Sequence, residues 1–155
     1  MTDYSDPVKT EQAELVKACI DAMYPNDAAS QMLGITVKAN QPGHATAYMS
    51  VRADMCNGHA ICHGGILFTL ADTAFAYASN NTNKNTVASG CTIEFIAPAL
   101  QGDELTAIAT ERSRSGRTSV YDTEIFNQRD ELIALFRGKG YQIRGSVIPQ
   151  SGESL

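Results

Sequence analysis

Residues 64–80, GGILFTLADTAFAYASN, are apolar on nearly all sides and rich in alanine. A helix of this kind is expected to be buried all round, because it has no polar face for solvent. Four strand-like runs follow it, separated by turn signals; they cover residues 87–97, 104–111, 118–127 and 132–143. Consecutive strands joined by short turns form an antiparallel sheet, and an apolar helix needs a sheet to wrap it. The sequence therefore predicts an α+β fold in which a long antiparallel sheet surrounds a central helix at about residues 64–80, while other helix-on-sheet arrangements stay open.

The chain before this helix predicts two more strands. Residues 45–51 alternate between apolar and polar side chains, which is the pattern of a half-buried strand. A shorter strand is expected at residues 35–39, and the turn residues that follow it separate the two. Residues 53–62 have no usable periodicity, so we expect a loop that leads directly into the central helix.

The N-terminal part predicts helices. Asp6-Pro7 is a helix start, with the aspartate as N-cap and the proline at the first helical position. Apolar residues at helical spacing continue to Met23, and Asp27 caps a second short helix that Gly34 ends. These patterns divide the chain into an N-terminal helical extension (1–26), the main domain (27–145) and a tail expected to be disordered (146–155).

Length and charge limit the function. A chain of 155 residues matches one compact domain. No apolar run approaches the ~20 residues of a membrane span, and no secretion signal is visible, so we expect a cytoplasmic protein with free cysteines. The net charge of -5 argues against a nucleic-acid partner. Basic side chains nevertheless cluster between residues 112 and 144, which suggests a small anionic ligand.

Asp72 is the most informative residue. It lies mid-helix among Phe68, Ala71, Phe75 and Ala76, where a carboxylate is expensive to desolvate. Carboxylates in such settings tend to have perturbed pKa values and to act as general bases or nucleophiles. The alternative is an aspartate that reaches the edge of the helix and bonds to a neighbouring loop.

The residues before and at the helix start are the next candidates. Gly64 and Gly65 would let a ligand approach bare N–H groups, whose partial positive charge suits a developing oxyanion; a close-packed turn is the alternative. His63 either donates to a substrate carbonyl or caps the helix. Asn57 either orients a water molecule or stabilises its turn.

Two further patterns concern ligands. Cys56, His59, Cys62 and His63 are of the types that bind zinc, but no second pair accompanies them, so we expect no metal. The turn RSRSGRTS at residues 112–119 combines guanidinium groups with a Ser-Gly corner. It could hold phosphate oxygens or be a solvated hairpin tip.

The runs NGHAICHGGILFTLADTAFAYASN, VASGCTIEFIAPALQGDELTA, GRTSVYDTEI and ALFRGKGY together resemble the hotdog-fold thioesterases. The similarity is to the branch of the phenylacetic acid degradation pathway and extends from about residue 27 to residue 143. It implies hydrolysis of acyl-CoA thioesters, in particular phenylacetyl-CoA or hydroxylated relatives, without a cofactor beyond the CoA of the substrate. It also implies a homotetramer built as a dimer of dimers.

The resemblance implies roles for individual residues. Asp72 would activate water or attack the thioester, and Gly64 would polarise its carbonyl. Three further motif residues would complete the site: His63, Gly65 and Asn57. The CoA nucleotide would be bound by Gly116, Arg117, Arg137 and Lys139. A dehydratase or hydratase and a non-catalytic acyl-CoA sensor on the same fold are the alternatives.

Gly64 and Asp72 are eight positions apart on one helix, which places them ~12 Å apart along its axis. Both groups must come within ~3 Å of the reacting atoms, so one chain cannot supply both to one substrate. We therefore expect composite sites at a dimer interface.

Overall fold

The sheet and the central helix form as predicted in the structure, a computed structural model that describes residues 7–149. The helices are α1 (Pro7–Met23), α2 (Ala28–Met32) and α3 (Gly64–Asn80). The strands are β1 (Thr36–Lys38), β2 (His44–Ser50), β3 (Thr86–Phe95), β4 (Glu104–Ser115), β5 (Thr118–Phe126) and β6 (Leu132–Gln142). They form one antiparallel sheet in the order β1-β2-β4-β5-β6-β3. Helix α3 packs against β2 through β6, so the predicted α+β architecture is confirmed.

Small side chains let α3 lie close to the sheet. The fully buried residues of the helix and of the two strands β2 and β4 that it faces include Ala45, Ala47, Ala71, Ala74, Ala78, Ala107 and Ala109. Phe75 of α3 rests on Gly138 of β6, where an added Cβ would lie only 2.9 Å from the ring. The core therefore depends on close packing of small residues, with a few aromatic rings such as Phe75 filling the remaining space.

One side of α3 is left uncovered by residues 7–149, which corrects the expectation that the helix is buried all round. Gly65, Phe68, Thr69, Asp72 and Ala76 recur at helical spacing and remain partly or fully exposed. The open sheet covers only the other sides, because β1 and β3 end it as edges. We call these five residues the open stripe of α3.

Strand β4 extends four residues beyond its predicted end, from Glu111 to Ser115. A register shift between Glu111 and Ser113 marks a bulge. Because the bulge absorbs one extra residue, β4 stays paired with β5 as far as the turn at residues 116–117.

The N-terminal helices have the predicted bounds. Helix α1 starts at Pro7, while its expected cap, Asp6, lies outside the described residues. Cys19 of α1 is fully buried, so the helix packs on the domain. Asp27 caps α2 by accepting a hydrogen bond from the Ser30 N–H at 3.1 Å. Gly34 follows with a φ of 68°, a conformation that glycine adopts readily.

The described start of the C-terminal tail has contacts. The Ile148 N–H donates to Asn83 Oδ1 at 2.7 Å, so residues 146–149 meet the loop after α3 instead of starting a disordered tail there. The rest of the tail, residues 150–155, lies outside the described part. Within residues 7–149, no helix is long and apolar enough to span a membrane.

Candidate active site

Asp72 lies on the open stripe of α3 as a half-buried carboxylate. Burial raises its pKa above the ordinary value for aspartate. Among residues 7–149 no hydrogen bond or ion pair to its side chain is present, so the alternative of an aspartate bonded to a neighbouring loop is not seen there. A carboxylate that is partly desolvated and unpaired is available to accept a proton or to attack a carbonyl carbon.

Cys91 on β3 lies close enough to Asp72 for the two groups to interact electrostatically. Burial raises the pKa of Cys91, and the nearby negative charge of Asp72 raises it further. The thiol therefore stays protonated beside Asp72 and is a poor nucleophile there. Sequence reasoning missed this residue, because its position depends on β3 pairing with β6, a strand far along the chain.

The start of α3 has one backbone donor in use and one available. His63 is the N-cap, and its Nδ1 accepts from the Gly65 N–H at 2.9 Å. Of the two roles expected for His63, capping is thus the one seen. The Gly64 N–H has no acceptor among residues 7–149, and it lies at the positive end of the helix dipole. Gly64 is therefore the donor that remains for a ligand oxygen.

Position 64 lies against an exposed aromatic ring, which must shift if a side chain is added there. An added Cβ would lie 2.9 Å from Cζ of Phe95, a ring on β3 that is 55% exposed. Gly64 and Phe95 line an open cavity of about 470 Å³ together with Asn57 and Cys62. We call this the helix-start cavity.

Asn57 lines this cavity and also stabilises the turn in which it lies. Its Oδ1 accepts from the His59 N–H at 2.9 Å, which is the turn-stabilising role weighed above. Its Nδ2 donates to nothing within the described part of the chain, and Asn57 lines the cavity. Asn57 and Gly64 are thus brought together, whereas Asp72 is ~12 Å away along α3 and does not line the same cavity.

The basic residues lie on the outer face and at one end of the sheet. Arg137 makes a bidentate ion pair with Asp122, with Nε–Oδ1 and Nη2–Oδ2 distances of 2.6 and 2.8 Å. This pairing lowers the pKa of Asp122 and occupies the guanidinium expected to bind phosphate. No ion pair to Arg117 or Lys139 is present among residues 7–149, so these two cations stay available.

The turn at Gly116 suits a hairpin tip, since Gly116 has a φ of 59°. Arg117 follows it directly, and Lys139 pairs with Val120 in the β5–β6 register, three residues further along β5. Both available cations therefore lie toward the same end of the sheet. Within the described residues no cluster of three or more His, Cys, Asp or Glu side chains has the arrangement of a metal site.

Comparisons with known proteins define the class. A family model described as the thioesterase superfamily matches residues 59–134. Acyl-coenzyme A thioesterase PaaI of Escherichia coli (strain K12) is 52% identical over 126 residues, which are 81% of this chain and 90% of that protein. The chain belongs to the thioesterase superfamily, whose members adopt the hotdog fold.

Solved structures agree with this assignment. The E. coli PaaI protein from the phenylacetic acid degradation operon superposes with a TM-score of 0.85 and 48% identity, covering 86% of this chain and 97% of that one. A mutant of the phenylacetic acid degradation protein PaaI from Thermus thermophilus gives a TM-score of 0.72 and 37% identity, over 76% and 100%. Within its superfamily the protein is a thioester hydrolase, an acyl-CoA thioesterase of the PaaI type.

Proposed function

We propose that this thioesterase hydrolyses aryl-acetyl-CoA, such as phenylacetyl-CoA or a hydroxylated relative, at composite sites between two chains. The observation that carries the proposal is the half-buried carboxylate of Asp72 on the open stripe of α3, which has no hydrogen-bond or ion-pair partner among residues 7–149. A stripe of small residues with one carboxylate and one aromatic ring is a surface on which a substrate can lie.

An aromatic wall beside Asp72 supports an aryl substrate. Phe68 precedes Asp72 by one helical turn, so both side chains project from the same face. Phe68 packs edge-on against Phe136, with ring centroids 5.3 Å apart at 73°, and this contact orients its ring. Edge-to-face aromatic pairs contribute ~0.5–1.5 kcal/mol each beyond area burial. A phenyl group of the substrate can add one more such contact.

The chemistry uses two groups of opposite character. The Gly64 N–H donates to the thioester carbonyl oxygen and stabilises the negative charge that develops on it. Asp72 either removes a proton from the attacking water or attacks the carbonyl carbon itself, and the CoA thiolate leaves. Single turnover in isotopically labelled water separates these routes, because only direct attack places solvent oxygen in the Asp72 carboxylate.

The remaining motif residues support these two. His63 fixes the first turn of α3 through Gly65 and so orients the Gly64 N–H. Asn57 lines the helix-start cavity, and its Nδ2, which has no acceptor among residues 7–149, is the group that would donate to the same carbonyl or to a water. His63 and Asp72 are nine positions apart, ~13 Å along one helix, so they do not form the histidine-acid pair of a dehydratase within one chain.

The CoA nucleotide is assigned to the end of the sheet that carries Gly116, Arg117 and Lys139. Two cations that have no carboxylate partner within the described residues suit phosphate oxygens, and the glycine turn permits close backbone approach. Arg137 contributes less than the sequence suggests, because Asp122 already holds its guanidinium.

A two-fold dimer through the edge strand β3 would complete the sites. No strand within residues 7–149 pairs with the outer side of this edge, which has exposed apolar side chains, including Val87 and Phe95. Antiparallel pairing of two β3 strands would extend the sheet and place the two α3 helices side by side in opposite directions. Asp72 of one chain would then face Gly64 of its partner. Two such dimers give the tetramer that the resemblance implies.

Subunit mixing tests the shared site. Gly64→Pro removes the N–H yet suits the first helical position, because the preceding His63 has an extended φ and ψ of -60° and 134°. Gly64→Ala is the matched control, since it adds a Cβ against Phe95 but keeps the N–H. Mixed Asp72→Asn and Gly64→Pro chains should recover about a quarter of parent activity, because each heterodimer keeps one intact site. Inactivity after exchange proven by mass spectrometry would refute the shared site.

A further inference from the structure

We propose that Cys56 and Cys62 form a reversible disulfide that lowers turnover, with a low-molecular-weight disulfide as the oxidant. The disulfide of coenzyme A, the thiol that the enzyme releases, belongs to this class. The effect on turnover rests on the proposed function, whereas formation of the bond does not. The proposal stands on the backbone geometry of the loop that leads into α3.

The two cysteines lie opposite each other in an isolated antiparallel bridge. The Asn57 N–H donates to the Ile61 carbonyl oxygen at 2.8 Å, and the His63 N–H donates to the Met55 carbonyl oxygen at 2.8 Å. These bonds flank the cysteine pair without involving it, which defines a non-hydrogen-bonded pair. In such pairs the Cα atoms are ~4.5 Å apart and the side chains share one side of the ladder.

This spacing falls within the range that disulfides span, since their Cα atoms are about 4.4–6.8 Å apart. The backbone therefore needs no large movement. Each thiol at present bonds to a carbonyl, Cys56 Sγ to Arg52 O at 3.7 Å and Cys62 Sγ to His63 O at 3.8 Å. Rotation about the two Cα–Cβ bonds replaces these weak contacts with the S–S bond.

The order of events follows from exposure. Cys56 is partly exposed, whereas Cys62 is 3% exposed. The Cys56 thiolate attacks one sulfur of the oxidant, and the first thiol leaves with a proton. The Cys62 sulfur then attacks the Cys56 sulfur, and the second thiol leaves with the proton of Cys62. Two protein thiols are oxidised and one small disulfide is reduced to two thiols. In the reduced protein burial, with Cys56 as the second cause, raises the pKa of Cys62 to about 11. In the mixed disulfide Cys56 carries no charge, but burial still raises the pKa of Cys62, so the second step is slow near neutral pH.

The Cys56–Cys62 disulfide would displace the proposed oxyanion donor, the Gly64 N–H. Cys62 lines the helix-start cavity with Gly64 and Asn57, and its sulfur contacts the carbonyl of the N-cap residue His63. That carbonyl accepts the first bonds of α3, from Ile66 N at 2.9 Å and from Leu67 N. Drawing the sulfur out of the core leaves a void under this turn. Because a displacement of ~1 Å at a catalytic donor can reduce the rate ~100-fold, we expect about a tenfold loss of turnover.

The test treats the reduced protein with oxidised glutathione or with the disulfide of coenzyme A. Each sample is then denatured and alkylated. All four cysteines should be modified in the untreated protein, and only Cys19 and Cys91 in the protein treated with the oxidant. The unreduced peptide that contains residues 56–62 should have lost two hydrogens. Turnover should fall about tenfold and return with dithiothreitol.

Two variants keep the proposal falsifiable. Two single variants, Cys56→Ser and Cys62→Ala, should each turn over as fast in the oxidant as they do under reducing conditions. The Cys91→Ala variant should instead lose the same fraction of its turnover in the oxidant as the parent does. A stable glutathione adduct without the internal link overturns the proposal, and so does a complete link with unchanged turnover. If the reduced protein forms the link but hydrolyses no CoA thioester, the proposed function fails while the disulfide stands.

Discussion

Asp72→Asn should abolish most activity and at the same time stabilise the fold. The substitution keeps the size of the side chain and removes its charge. In the folded protein this carboxylate is half-buried and unpaired within residues 7–149, and burial raises its pKa. A carboxyl whose folded pKa lies above its unfolded pKa favours the folded state at low pH, and this contribution is lost as pH rises through the folded pKa. At neutral pH the charged form therefore destabilises the fold.

The magnitude follows from the environment of the carboxylate. An unsatisfied buried group costs ~1–3 kcal/mol when it is neutral and more when it is charged. The asparagine keeps the neutral cost and loses only the extra cost of the charge, which we take as about 1 kcal/mol because the group keeps water on one side. For a chain of 155 residues this corresponds to a rise in Tm of about 2–4 °C. Loss of a general base reduces kcat by ~10²–10⁴-fold, and loss of a nucleophile reduces it further. KM should change little, because the side chain is not assigned to binding.

Asp103→Asn is the matched control for the stability effect. Burial alone would raise the pKa of Asp103, but hydrogen bonds from the Leu100 N–H, Gln128 and Arg129 lower it overall. Its neutral variant should therefore lower Tm.

Thermal unfolding at one protein concentration, followed across pH, and CoA release kinetics measure both effects. The Tm gain of Asp72→Asn should shrink as pH falls through the raised folded pKa and vanish well below ~4, the ordinary aspartate pKa, where the parent carboxyl is protonated in both states. A lower Tm for Asp72→Asn at neutral pH would refute the reasoning about burial. Turnover within tenfold of the parent would remove Asp72 from the mechanism.

Three further outcomes are expected. Gly138→Ala should destabilise the fold by ~1–3 kcal/mol in denaturant unfolding, because the added Cβ would lie 2.9 Å from the buried Phe75 ring. The control Gly58→Ala, with nothing within 4 Å of its Cβ, should not destabilise the fold. Equal effects of the two substitutions would contradict this packing. Arg117→Ala should raise KM for CoA thioesters roughly tenfold to a hundredfold and leave a pantetheine-length thioester unchanged in steady-state assays; equal losses would indicate a structural role for the hairpin. The acidic limb of kcat/KM should lie above pH ~4, the ordinary range of aspartate, because burial raises the pKa of Asp72; a limb at or below that value would contradict the assignment.

Local sequence patterns determined the elements and several candidates. The bounds of α3 match the predicted helix at both ends, because its apolar, alanine-rich run favours a helix over the whole segment. Alternation identified β2, and turn residues separated β4, β5 and β6. Asp72 stood out because a carboxylate within an apolar helix is costly wherever the helix lies.

Only the tertiary structure decided how these elements and residues meet. The sheet order places β3 beside β6, which brings Cys91 to Asp72, and no local pattern records that pairing. The tertiary structure of residues 7–149 also leaves one stripe of α3 uncovered, although the sequence of the helix is apolar on nearly every side. It also paired Arg137 with Asp122 across two strands and made His63 a cap. Secondary structure depends on neighbours a few positions apart, whereas these contacts depend on which distant segments share a surface, and that choice is made by packing of the whole chain.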